Sequence, residues 1–170
     1  MMMLRRLFSC NRGAAAAEMA LITPLAVLIM FTSIEAGHYF YQQHQVVKGV
    51  RDGARFAARQ SFDDINCRGG TPTPITDPLL TEIKNLTRTG QLTGGSPRIP
   101  NWVDSITITV TCPDTSTIAE ATTGIFRPAE PAPQVNIVAT PSYDSLFNGL
   151  GILTDSVSLR GEQQSVVMGI

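Results

Sequence analysis

The run from Arg12 to Phe40, RGAAAAEMALITPLAVLIMFTSIEAGHYF, decides how the rest of the chain is arranged. Between Ala14 and Ile34 only Glu18, Thr23, Pro24, Thr32 and Ser33 interrupt the apolar residues. A helix that crosses a bilayer needs about 20 mostly apolar residues, and this segment supplies them. Arg5, Arg6 and Arg12 precede it with no acid among them. Basic flanks stay on the cytoplasmic side, which puts the N-terminus inside and the chain from Gly37 onward outside.

The segment does not read as a secretory signal, whose apolar core is shorter and ends in a small-x-small cleavage site. Here the core is long, and Ile34-Glu35-Ala36-Gly37 lacks the first small residue. A bare signal anchor accounts for the arginines and the apolar run but leaves Glu18 unexplained. A carboxylate near hydrocarbon costs several kcal/mol and marks a functional candidate. Its position near the cytoplasmic end also allows it simply to reach the headgroups, and physics alone leaves both readings open. Pro24 removes one helix hydrogen bond, so a kink is expected there. Proline is also tolerated in membrane helices without a special role.

Outward from this stretch, 170 residues leave room for one modest domain. Charged residues make up 16% and the net charge is −1, so nothing suggests a nucleic-acid surface. Because three of the 13 basic residues lie before the span, the remainder is net acidic. Of the cysteines, Cys10 is on the cytoplasmic side, while Cys67 and Cys112 lie outside, where thiols oxidise; a Cys67–Cys112 disulfide is expected. The two are too far apart in sequence, and too far from His38 and His44, to suggest a metal site.

Beyond the span, Val46, Val47, Val50, Ala54, Ala57 and Ala58 recur at helical spacing and form one apolar stripe. Arg51, Arg55 and Arg59 repeat every four residues on another face, as a partner surface or a solvated one. One helix is therefore expected from about Ala14 to Ser61, with Tyr39 and Tyr41 at the aqueous interface. Residues 66–78 read as loop. Asp77-Pro78 then reads as an N-cap followed by proline at the first helical position. A short helix through Leu79, Leu80, Ile83 and Leu86 follows, stopped by Gly90. Ile106, Ile108, Val110 and Cys112 alternate with threonines in the period of a half-buried strand. After an exposed Thr-, Ala- and Pro-rich loop to Pro133, strands are expected over Gln134–Thr140 and Asp155–Gln164, with Ser142–Leu153 as a turn or short helix capping a small antiparallel sheet. The fold class expected is α+β: a long N-terminal helix packed on that sheet.

One resemblance organises these features. Arg12-Gly13, four alanines and Glu18 look like the cleavage signature of type IV pilin-like precursors. More narrowly, Gly13-x-x-x-x-Glu18-Met19-Ala20-Leu21-x-x-Pro24 is similar to the TadE-like minor pseudopilins of the tight-adherence (Flp) pilus system. Ala17 and Met19 stand where that pattern usually has Val and Phe, and both keep an apolar face. Gly49-Val50-Arg51-Asp52-Gly53-Ala54-Arg55 also resembles a run common in the family. The resemblance implies a pilin-like fold and cleavage between Gly13 and Ala14 by a prepilin peptidase. It further implies a role for Glu18 in recognition or helix docking, and other pilins, pseudopilins and the inner-membrane assembly platform as partners beside lipid. It implies a single-pass protein of the bacterial inner membrane with its C-terminal domain in the periplasm. The chain then divides into a basic leader (1–13), a transmembrane helix (14–37), a helix extension (38–62) and an extracytoplasmic α+β domain (63–170). No Gly-rich phosphate loop, G-x-S-x-G elbow or CxxC occurs, and no cofactor or enzymatic activity is expected. The competing reading is an unprocessed single-span anchor that carries an extracytoplasmic binding domain.

Overall fold

The computed structural model describes residues 12–113, 131–148 and 157–169. Helix α1, Arg12–Ala58, is one unbroken element of 47 residues with Pro24 inside it, about 70 Å long at 1.5 Å per residue. Helix α2 covers Leu79–Thr89. Strands β1 (Ile106–Thr111), β2 (Gln134–Ala139) and β3 (Gly161–Val166) form an antiparallel sheet in the order β1-β2-β3. The arrangement is α+β, with a long apolar N-terminal helix and a small three-stranded sheet.

The two halves of α1 have opposite surroundings. In the first, Met19, Leu21, Ile22, Leu25, Leu28 and Ile29 are all exposed, Leu21 by 78%. In the second, Val46, Val50, Ala54 and Ala57 are buried and carry the core, while Val47 and Ala58 at the edge of the stripe are only half-buried. The sheet lies on this half through β3 and β2. Ser165 Oγ donates to the Ala54 carbonyl and the Met168 N–H to the Ala58 carbonyl. Lower down, Gln43 Nε2 donates to the Arg160 carbonyl. Strand β3 therefore climbs away from the apolar half, and antiparallel β2 descends toward it.

Helix α2 crosses α1 at Gly49 and Gly53. A Cβ at Gly49 would run into the Thr87 backbone carbonyl, and one at Gly53 into the Thr87 hydroxyl. The glycines let two backbones meet where any side chain would hold them apart. Trp102, fully buried, fills the space beside the crossing.

Two expectations shift. Asp77 does not cap α2: Pro78 occupies the cap position in αR geometry after a cis Asp77–Pro78 bond, and the Asp77 carboxylate accepts from Thr81 Oγ1 at 2.6 Å instead. Gly90 does end the helix, in the left-handed conformation (φ 83°), its N–H bonded to the Leu86 carbonyl. The last strand begins at Gly161, and Val157–Leu159 makes only an isolated bridge, Ser142 to Ser158. The loop expected between Pro113 and Pro133 lies mostly outside the described residues.

Candidate functional site

Gly13 lies in the first turn of α1, exposed, with nothing within 4 Å of where a Cβ would stand. Glu18 follows on the same bare helix, exposed and without a hydrogen bond or ion pair among the described residues. Along the apolar half, hydroxyls turn back on their own helix. Thr23 Oγ1 donates to the Met19 carbonyl at 2.6 Å, Thr32 to Leu28 and Ile29, and Ser33 to Ile29 at 2.7 Å. Such internal bonding satisfies these hydroxyls within the helix, as hydrocarbon requires. The described chain has one helix long and apolar enough to cross a membrane.

Where the bare half ends, a second acid is found that the sequence reading passed over. Glu35 is wholly buried on a helix whose preceding turns are exposed. Its Oε1 accepts from Tyr143 Oη and Ser145 Oγ, each at 2.7 Å. The second oxygen, Oε2, is buried without a hydrogen-bond partner among the described residues, with the backbone N–H groups of Leu146 and Phe147 on its side. The Tyr143 hydroxyl is within 3.3 Å of the Glu35 carbonyl as well. About two turns above, the buried Gln42 side chain pairs with the backbone of Asp144 in both senses, Nε2 donating to its carbonyl (3.0 Å) and Oε1 accepting from its N–H (3.3 Å). His38 hydrogen-bonds Gln42 at 2.7 Å. The Tyr143 ring meets Tyr39 edge-on at 5.3 Å, and the Phe147 ring meets Phe31 at 5.0 Å.

The segment 143–148 is thus a strap fastened along α1 from Gln42 down to Phe31, held by charge-assisted bonds. This differs from the turn expected over the sheet. Tyr39 is packed under the strap and does not stand free at an interface, whereas Tyr41 is exposed. The sequence held a faint signal: Glu35 is the only acid between Glu18 and Asp52, set at the end of the apolar run.

Cys67 and Cys112 form a disulfide with Cα atoms 5.7 Å apart, tying the chain beyond α1 to the end of β1. Asp52 bonds Arg98 at 2.7 Å, an ion pair largely shielded from water, while Arg51 and Arg55 remain exposed. Among the described residues no three His, Cys, Asp or Glu side chains converge. His38 is engaged by Gln42 and the Tyr143 ring, and His44 is exposed elsewhere.

Residues 13–55 match the family model described as TadE-like protein. The match covers α1 from Gly13 to Arg55 and none of the sheet. No curated protein and no solved structure matches the chain.

Proposed function

We propose that this TadE-like protein is a minor pseudopilin that acts in the assembly or initiation of a thin adhesive Flp/Tad pilus. It inserts in the bacterial inner membrane with its arginines in the cytoplasm and its sheet domain in the periplasm. A prepilin peptidase cuts after Gly13, leaving Ala14 as the N-terminus. The observation that carries this reading is the contrast along α1. Among the described residues, the helix that begins Gly13-x-x-x-x-Glu18 carries its acid exposed and without a partner, while the second acid, Glu35, is buried and accepts two side-chain hydrogen bonds.

Cleavage would create an ammonium one helical turn from Glu18. Pairing of the two, within a subunit or between neighbours, offsets the desolvation of the carboxylate. The alanines at positions 14–17 let neighbouring helices approach closely in lipid, where packing drives association in place of the hydrophobic effect. Other pilins, pseudopilins and the assembly platform are the partners this surface suits.

Glu18→Gln tests the reading. The variant should insert and form its Cys67–Cys112 disulfide, yet fail to restore pili to a strain lacking the wild-type chain. Full piliation by Glu18→Gln would refute the role assigned to the acid.

A further inference from the structure

The strap that holds Glu35 reaches lower on α1 than a purely periplasmic domain should. Taking Ala14 as the inner edge of the hydrocarbon, Phe31 lies about 26 Å along the helix and Ile34 about 30 Å. The hydrocarbon core is about 30 Å thick, so Phe31 falls just inside its far edge. Tilting the helix, or setting Glu18 at the inner boundary in place of Ala14, moves Phe31 deeper still. The ring of Phe147 packs on that of Phe31 at 5.0 Å, so helix register fixes the depth of the strap.

The strap's own residues suit that depth. Leu146, next to Phe147, is 53% exposed, although the same turn aims its N–H groups at Glu35. The polar groups of residues 143–145 are engaged higher up. Tyr143 and Ser145 bond Glu35, and the Asp144 backbone is held at Gln42, about 10 Å above Glu35 along the helix. Exposed Phe40 and Tyr41 flank the same level of α1, the kind of aromatic ring that collects at a membrane interface. A polar upper end and an apolar lower tip form a graded surface of the kind that lies in a headgroup boundary.

We propose that the tip of this strap, Leu146 and Phe147, is a second membrane contact, seated in the leaflet on the domain's side and occupied by lipid. This rests on the reading of α1 as a membrane span. The Glu35 carboxylate, buried and bonded through Oε1 to Tyr143 and Ser145, is what sets the tip at that height. The contact fixes the tilt and rotation of the sheet domain over the membrane, because the chain then meets the bilayer at two points.

The test uses the full chain in lipid nanodiscs, with Cys10→Ser to leave a single reactive thiol. An environment-sensitive fluorophore is placed by Leu146→Cys, and in parallel by Leu25→Cys and Thr107→Cys. Retained Trp102 emission checks that each variant is folded. The probe at 146 should emit at shorter wavelength than that at 107. It should also be quenched by lipids brominated near the glycerol and spared by aqueous iodide. Quenching by iodide, or a shifted emission that brominated lipid leaves untouched, would overturn the proposal; the latter means that protein covers the tip. The probe at 25 separates the two readings. If deep-brominated lipid quenches it while 146 stays unquenched, the span stands and the strap contact fails. If 25 is not quenched, the span reading itself fails.

Discussion

The crossing of α1 and α2 gives the sharpest mutational test of the fold. Gly49→Ala and Gly53→Ala each replace the poorest common helix residue with the best one, a gain of about 1 kcal/mol in an open helix. At this crossing both should lose stability. The new methyl at Gly49 would meet the Thr87 backbone carbonyl and stand 3.3 Å from the Trp102 ring. The one at Gly53 would meet the Thr87 hydroxyl, which itself donates to the Ile83 carbonyl at 2.8 Å. Overpacking of this kind costs about 1–3 kcal/mol, and more when backbone must move. Net destabilisation of about 1–2 kcal/mol is expected for either variant, a fall of about 2–8 °C in Tm for a chain of this size. Thr87→Ala separates the two. It removes the hydroxyl but keeps the carbonyl, so it should rescue Gly53→Ala with a coupling of about 1–2 kcal/mol and leave Gly49→Ala unrelieved. The assay is thermal unfolding of the full chain in micelles, followed by its one tryptophan, Trp102, which sits at the crossing. A Gly53→Ala variant as stable as wild type, or equal rescue of both, would refute the close approach.

Three further outcomes are expected. Replacing Cys67 and Cys112 by serine opens a loop of 45 residues and should lower stability by about 4 kcal/mol in the chain-entropy model, read as a fall in Tm; an unchanged Tm would count against the bridge as a stabilising tie. Tyr143→Phe removes a bond to a buried carboxylate and should cost about 1.5–3 kcal/mol, with faster amide exchange at Leu146 and Phe147; unaltered exchange there would contradict the strap. Asp52→Asn leaves the shielded Arg98 without its counter-charge and should cost about 1–3 kcal/mol, whereas Asp63→Asn, in a pair whose aspartate is 85% exposed, should shift stability by less than about 0.5 kcal/mol; equal effects would refute that ranking.

What was legible in the sequence follows from where each signal is stored. The span, the stripe at Val46, Val50, Ala54 and Ala57, and strand β1 carry their periodicity in neighbouring residues, and each lies where the pattern puts it. Strand β3 does not, because its inward positions are Gly161, Gln163 and Ser165. Close packing against α1 demands small or polar groups there: a Cβ at Gly161 would stand 2.9 Å from Val46, and Ser165 bonds the Ala54 carbonyl. Apolar alternation is absent, so the strand looked as if it began earlier, at the more apolar Val157 and Leu159. The Asp77-Pro78 pair has the composition of a cap, but Pro78 itself takes the cap position and the Asp77 carboxylate accepts from Thr81. Glu35 stayed hidden for a different reason. Its partners lie 108 and 110 residues away, and no local pattern encodes a contact of that separation. Near the membrane the sequence announced Glu18, the acid left bare, and kept silent on Glu35, the acid enclosed by the fold.

The central claim is that the basic leader is removed and the bare helix begins at Ala14. Intact-mass measurement and N-terminal sequencing of the protein extracted from the membranes of its producing cell test it directly. The account predicts a chain that starts Ala14-Ala15-Ala16-Ala17-Glu18, and retention of the leader when Gly13 is replaced by a bulky residue. A membrane-resident chain that starts at any of Met1 to Met3 and still supports pilus assembly would contradict it.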